Sequence, residues 1–465
     1  MTSSIQTSQD VWVRHSTNRL PGFWGENAVF VANLLGLFFG NEAETRMLAE
    51  EVGEVDSYGG RLLPVIDLLF AGPERNLLVL ERDPDPTLSR YFTETAGLTL
   101  PDLEVLSHQH YLELDRQLGA TDLRASCFLE TLKNHPAARL DGYVTDRTLS
   151  ALADRLGMPT FSSFAGSHDG NNKWLLHRYL ESVGLPTPMT EIAESPAEIT
   201  DCLERLRGAA YSSAVVKAPM GASGIGLIKV EDLSVRAGMD EAVPEHFFTD
   251  GPCLVQGWIK KGEFGVSRVH SPSAQLFLNE DGVVIFDLTE QILSHESVHE
   301  GNESPPPYLA DHDEWRDELL RQAGEAGKWL HGRGYRGTAS ADFLLAENED
   351  GGATVYVCEL NARVTGATYP SVLARHFMPD GVWLLRNLRF TKPVPGAELM
   401  ELLRSAHDLF VPGQSEAGVM PLNFNTGDDG LVHKGQFLCL APSSGGSKML
   451  LEMARLDMPC MPDRD

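Results

Sequence analysis

Two β-rich runs joined by Asp350-Gly351, ADFLLAENEDGGATVYVCELNARV from Ala341, constrain the fold of this chain more than any other feature. Asp-Gly between strand-forming stretches favours a tight turn, because glycine takes the positive φ that a short hairpin loop needs. The segment is therefore expected to be a hairpin in an antiparallel sheet. If its arms pair symmetrically about the turn, Asp342 falls opposite Glu359. The two-residue period of a strand places Glu359, Asn361 and Arg363 on one face and directs Leu360 and Ala362 to a core. Two carboxylates and an amide oxygen at one spot are hard oxygen donors of the kind that hold Mg²⁺ beside nucleotide phosphates. Taken blind, such a triplet is also what a solvated strand face looks like. The neighbouring Arg363 and the turn-forming Gly366 favour a site.

A second run carries matching chemistry. Lys217 ends a β stretch and leads into Gly221, Ala222, Ser223, Gly224, Ile225 and Gly226. Glycines let backbone N–H groups approach phosphate oxygens, and a lysine at the edge supplies charge. The run is not a P-loop, since it lacks Gly-Lys-Ser/Thr and continues into a β run instead of a helix. Alone, it reads equally well as a plain turn. SAVVKAPMGASGIGLIKV from Ser213 is expected to form strand, turn and strand, and CLVQGWI from Cys253 adds a third strand.

Elsewhere, NLLVLE from Asn76 and LDGYVT from Leu140 are each followed by helical patterns, PTLSRYFTETAGL and DRTLSALADRLG, which predicts a doubly wound α/β unit over residues 1–170. A helix should follow Asn172 as cap, with Leu176, Tyr179, Leu180 and Val183 as its apolar stripe and Gly184 and Pro186 ending it. Residues 171–258 are then a small α+β lid, and residues 259–392 a metal-bearing catalytic part. The latter contains a second Asp-Gly hairpin at Asp281-Gly282 and a helix starting at an Asp313 cap. Ser304 to Pro307 marks a loop. Residues 393–465 form a C-terminal extension whose pattern indicates no topology.

Where a partner is concerned, charge narrows the choice. With 38 Lys and Arg against 66 Asp and Glu, the net charge of -28 repels phosphodiester backbones and argues against nucleic acid, so a phosphate site must be built locally. No apolar run is long enough for a membrane helix and the start MTSSIQTSQD is unlike a signal peptide, so the expected compartment is cytoplasmic, with no membrane partner. Cys127, Cys202, Cys253, Cys358, Cys439 and Cys460 lie far apart and read as free thiols.

Together these residues resemble the ATP-grasp superfamily of carboxylate-amine ligases, from Asn171 to Tyr369. The resemblance implies an α/β ATP-grasp fold with a pre-ATP-grasp N-terminal domain, and ATP with two Mg²⁺ ions. Lys173 and Lys217 would contact phosphates under a closing loop that includes Gly221, Ser223, Gly224 and Gly226. Asp342, Glu359 and Asn361 would hold the ions, and Arg363, with Lys217, would serve the transferring phosphoryl group. Gln256, Gly257, Trp258 and Ile259 occupy the place of the adenine-binding hinge, and Glu263 that of the ribose ligand. Many relatives have a glutamate followed by lysine where Gln256 and Gly257 stand, which bears on recognition of the adenine amino group.

The N-terminal unit, the run DLTEQIL and the C-terminal piece are similar to pheganomycin-type peptide ligases. That implies peptide-bond formation in natural-product (antibiotic) biosynthesis. The carboxylate donor would be an unusual amino acid bearing a guanidino group, the amine acceptor a peptide or amino acid, and the assembly has room for a homodimer. Glu290, Gln291 and Gly366 are candidate substrate contacts, a structural role in the sheet being the alternative for the first two. The competing functional readings are an ATP-grasp phosphotransferase and a nucleotide-binding regulatory module without turnover. His295-Glu296-Ser297-Val298-His299 spells H-E-x-x-H, but Gly301 and a triple proline follow where a zinc protease needs a helix, so it reads as a polar loop over the site. His270, lone on a β run, reads as a packed histidine.

Overall fold

A computed structural model describes residues 11–52, 58–72, 76–118, 123–222, 224–234, 243–293, 299–427 and 429–462. After β1 (Trp12–His15), which belongs to the large sheet, strands β2 (Ala28–Val31), β3 (Leu77–Leu80), β4 (Asp102–Val105) and β5 (Arg139–Gly142) form a parallel sheet in the order β4-β3-β2-β5. The central strands AVFV and LLVL are buried throughout, as parallel strands covered on both faces must be. Phe30 and Leu78 face one core with Leu48 and Ile66, while Val29 and Leu77 face another with Leu114 and Leu149. The doubly wound arrangement expected here is present.

A smaller antiparallel sheet follows, built from β6 (Thr190–Ala193), β7 (Ala214–Ala222), β8 (Ile225–Val230) and β9 (Cys253–Gly257) in the order β6-β9-β7-β8. The helix Ile199–Gly208 covers it, burying Cys202 and Leu206 against Val216 and Val255. Leading into this sheet, the helix Lys173–Ser182 starts where Asn172 accepts a hydrogen bond from the Leu175 amide at 3.1 Å. Leu176 and Leu180 are buried, each worth about 1.5–3 kcal/mol. Val183, expected in the stripe, is 46% exposed because the helix ends before it and the chain turns off at Gly184, φ +70°.

The large sheet contains β10 (Val266–His270), β11 (Pro272–Leu278), β12 (Gly282–Leu293), β13 (His299–Ser304), β14 (Gly337–Asn348), β15 (Ala353–Asn361), β16 (Val382–Val394), β17 (Gly418–Thr426) and β18 (Val432–Ala441). Its path runs β10-β14-β11-β12-β13-β16-β18-β17, with β15 on β14 and β1 on β12. Residues 393–465, without a topology from sequence, thus supply two strands of this sheet, and Val419, Phe424 and Phe437 share a core with Phe30 and Leu78.

Both Asp-Gly hairpins form, with altered turns. The first closes over Asn279–Gly282, where the Asn279 carboxamide accepts from the amides of Asp281 and Gly282. Gly282 is needed because a Cβ there would lie 2.6 Å from the Trp12 indole, not because of a positive φ. The helix Asp313–Gly332 begins one residue earlier in role than expected: His312 occupies the cap without a side-chain bond, and Asp313 sits in the first turn, where a carboxylate suits the helix dipole. Opposite, the helix Thr368–Phe377 is pinned to the sheet by Arg375, which meets Asp287 at 2.9 Å with both side chains essentially unexposed.

Candidate functional site

Pairing in the second hairpin runs Glu347 to Ala353 and Phe343 to Val357, centred on Asp350. That register alone would set Asp342 opposite Cys358. A bulge between Asp342 and Phe343 shifts it by one, and Asp342 pairs with Glu359, Ala341 with Leu360 and Ser340 with Asn361. The extra residue on β15 re-aims the carboxylates so that both serve one face. Leu360 and Ala362 are buried in the core behind, as the strand period requires.

Around the two carboxylates the contacts are short. Asn361 Nδ2 donates to Asp342 Oδ2 at 2.8 Å and approaches Glu359 Oε1 at 3.4 Å. Ser273 on β11 and Ser340 on β14 donate to Asp342 Oδ1 at 2.6 and 3.2 Å. Lys173 Nζ lies 3.0 Å from Glu359 Oε2 and donates to the Gly221 carbonyl at 3.2 Å, so the hairpin of residues 214–230 and the carboxylates meet through one ammonium. Arg363, just past β15, donates to Asn171 Oδ1 at 2.8 Å, and Asn171 also receives the Ala362 amide. The electrostatics separate the pair. Burial, with the charge of Glu359, raises the Asp342 carboxyl. Burial would raise Glu359 too, but Lys173, Arg363 and Lys217 outweigh it and hold that carboxyl below its usual range.

Lys217 points into a cleft between the small sheet and the large one, lined by Leu176, His177, Pro188, Leu254, Gln256 and Cys358 among others. Its ammonium donates to Gln256 Oε1 at 2.9 Å, and Gln256 Nε2 donates to Thr190 Oγ1 at 2.9 Å. Gly257 must be glycine because the Tyr211 ring lies across it, and Gly226, at φ +80°, because a Cβ would meet the Met220 carbonyl at 2.7 Å. Gly224 also takes a positive φ, at +85°.

Residues 170–367 match the family described as ATP-grasp domain. This segment is an ATP-grasp domain. A butirosin acyl-carrier protein–L-glutamate ligase of Niallia circulans is 30% identical over 202 residues, 43% of this chain and 44% of that protein. The match therefore spans less than half of that relative. An L-propargylglycine–L-glutamate ligase of Streptantibioticus cattleyicolor is 26% identical over 355 residues, covering 67% of this chain and 70% of that protein. Among solved structures, a biotin carboxylase–β-γ-ATP complex from Campylobacter jejuni superposes with TM-score 0.58 at 12% identity over 94% of this chain and 92% of that one, a likeness of fold. The ATP-grasp fold, with its α/β N-terminal sheet and small lid, is the fold of this chain.

Other expected residues of the ATP-grasp domain are placed less simply. Ser223 and residues 295–298 of the H-E-x-x-H run lie outside the described residues. The last histidine of that run, His299, opens β13. Trp258 lies under Lys229 at 4.9 Å and donates its amide to the Ser213 carbonyl; Ile259 packs on Val266 and Ala346. Glu263 contacts Ser212 and Lys260, leaving its Oε2 without a hydrogen bond. His270 packs against the Tyr308 ring, centroids 3.9 Å apart, with its Nε2 3.4 Å from Glu347 Oε2, a packed histidine.

Glu290 is a correction. Its neighbour Thr289 stands opposite Ser273, which bonds Asp342, so Glu290 points to the other face of the sheet. There it accepts from the Ser271 amide and from Tyr308 Oη at 2.8 and 2.7 Å, and burial pushes its carboxyl up to about 7. Gln291 lies opposite Asn302, and Gly366 beside the His299 ring, 3.2 Å from where its Cβ would be. Sequence reading missed Asn171, Ser273, Ser340 and His177, whose roles come from long-range pairing. Among the described residues no helix is long and apolar enough to cross a membrane, and the six cysteines are free.

Proposed function

We propose that this chain is an ATP-dependent carboxylate-amine ligase acting on amino acids. The observation that carries the reading is the Lys173–Glu359 contact at 3.0 Å, which joins the glycine hairpin, through the Gly221 carbonyl, to an oxygen-donor cluster beside the cleft that Lys217 enters. The names of the two curated relatives, both L-glutamate ligases, support an amino acid as one substrate.

A carboxylate resists attack by an amine because it is anionic and lacks a leaving group. In the proposed first step a carboxylate oxygen attacks the γ-phosphorus of ATP and the bond to the β-phosphate oxygen breaks, giving ADP and an acyl phosphate. Lys173 and Lys217 hold the phosphates, and Arg363, fixed by Asn171, offsets charge on the transferring group. The amine then attacks the acyl carbon, loses a proton, and inorganic phosphate departs. Asp342, Glu359 and Asn361 present two carboxylates and an amide, an open set suited to a hard cation shared with phosphate and water, and would hold Mg²⁺, two ions in this reading. The metal, when bound, supplies charge compensation at the phosphate oxygens. The cleft between Leu176, Pro188 and Leu254 takes the base, with Gln256 and Glu263 on the nucleoside. Gly366 and Gln291 lie toward the acyl end; a peptide or amino acid supplies the amine, residues 171–258 act as lid and residues 259–392 carry the chemistry. Natural-product biosynthesis, a cytoplasmic location and a homodimer complete the proposal.

The test is phosphate release with pairs of amino acids. A ligase turns over only with both substrates and yields a hydroxamate when hydroxylamine replaces the amine. A stable phosphorylated product would make it a phosphotransferase, and nucleotide binding without turnover on any pair would make it a regulatory module.

A further inference from the structure

Glu44 lies in the helix Glu42–Val52 of the N-terminal part, in a different unit from the ATP-grasp domain, and is fully buried. Neither of its carboxylate oxygens has a hydrogen-bond partner. A buried carboxylate in that condition gives up its hydration without replacement, which in a native fold points to a partner or a role.

What covers it is the glycine hairpin. A Cβ on Gly226 would come within 3.2 Å of Glu44 Oε1 and within 3.2 Å of the Gly221 α-carbon. A Cβ on Gly221 would come within 3.5 Å of Lys173 Nζ. The carboxylate and the ammonium thus both lie against the same pair of glycines at the hairpin neck. Apolar contacts dock the hairpin here: Met220 is buried in one core with Phe38 and Leu48, and Ala222 and Ile225 pack against it. Asn41 adds a bond to the His246 carbonyl at 3.0 Å. Burial pushes the Glu44 carboxyl up to about 7 against the pull of Lys173, with Asp250 adding to the rise.

Lys173 is at present engaged by Glu359 and by the Gly221 carbonyl. On the ligase reading, on which this inference rests, Glu359 gives its oxygens to a metal ion, and the lysine loses its carboxylate. An ammonium has three donors, enough to serve a phosphate and a second acceptor together. We propose that Glu44 is a positioning residue for Lys173, receiving the ammonium when Glu359 is taken by the metal and so fastening the glycine hairpin to the N-terminal unit over the phosphates. Docking of the hairpin and loading of the metal site would then be one event.

The experiment uses the full chain, its Glu44→Gln, Lys173→Met and double variants, and a non-hydrolysable ATP analogue with Mg²⁺. Calorimetric affinity and hydrogen exchange of residues 214–230 are read together. Glutamine keeps the shape and removes a buried charge, so this variant should fold at least as well as the parent. The expected result is about tenfold or more loss of affinity in Glu44→Gln, with faster exchange of the bound hairpin, and no further loss when the substitution is made in Lys173→Met. Parent-like affinity in Glu44→Gln, or an equal loss in both backgrounds, would overturn the inference alone. Failure of the unaltered chain to bind the analogue would overturn the ligase reading and the inference with it.

Discussion

Two acidic centres stand on the same face of the large sheet, and they are built differently. Asp287 lies opposite Gln275 on β11, two residues from Ser273, which serves Asp342. Asp287 is filled: Arg375 contacts both of its oxygens at 2.9 and 3.3 Å, Ser304 donates at 2.8 Å and Trp383 Nε1 at 3.1 Å. Asp342 and Glu359 instead face each other as like charges. One is served by small hydroxyls and an amide, the other by a lysine from another element. A sealed pair of opposite charges specifies structure, whereas a like-charged pair with shared donors is stable only if something cationic completes it. The contrast separates a residue that holds a helix from the residues proposed to hold the metal.

The largest expected effect strikes the sealed pair. Arg375→Ala should cost about 3–5 kcal/mol of unfolding free energy in a urea titration, because Asp287 is left buried and uncompensated. Replacing both members with Asp287→Leu and Arg375→Met should recover most of that loss. If the single and double variants are equally unstable, the pair is not the isolated structural device described here. Next comes Glu359→Gln, expected to lower turnover on the order of 10²–10³-fold with a far smaller change in unfolding midpoint. A loss of stability as large as that of Arg375→Ala would erase the contrast.

How much of this was legible depended on the distance over which each contact acts. The turn at Asp350-Gly351 and the alternation of Glu359, Leu360 and Asn361 are local, so the hairpin and its polar face could be read directly. The Asp342–Glu359 pairing was anticipated by symmetry about that turn, yet it comes from a bulge that no periodicity reveals. Glu290 was misjudged because adjacent strand residues cannot share a face. Strands β17 and β18 escaped because both faces are buried, which erases the period-two signal. Ser273 and Asn171 reach the site through tertiary packing and leave no mark in the chain order.

A milder perturbation sharpens the comparison from the ligand side. Ser273→Ala, which removes the 2.6 Å donor to Asp342, should raise the Mg²⁺ concentration needed for half-maximal turnover by about 10–100-fold while leaving nucleotide binding without metal unchanged. The smallest effect concerns His168, held between Asp169 and Asp250 at 3.2 and 3.4 Å. Those hydrogen bonds raise it from 6.5 to about 9, so its stabilising contribution is complete below pH 6.5 and is lost as pH rises through about 9. The melting temperature should therefore fall across that window, and the decline should flatten in His168→Gln.

The proposed reaction is decided by where the carboxylate oxygen goes. With the carboxylate of the donor amino acid labelled with oxygen-18, an acyl phosphate route moves one labelled oxygen into inorganic phosphate, released in step with ADP and amide. Label in AMP, or phosphate free of label while amide accumulates, would contradict it.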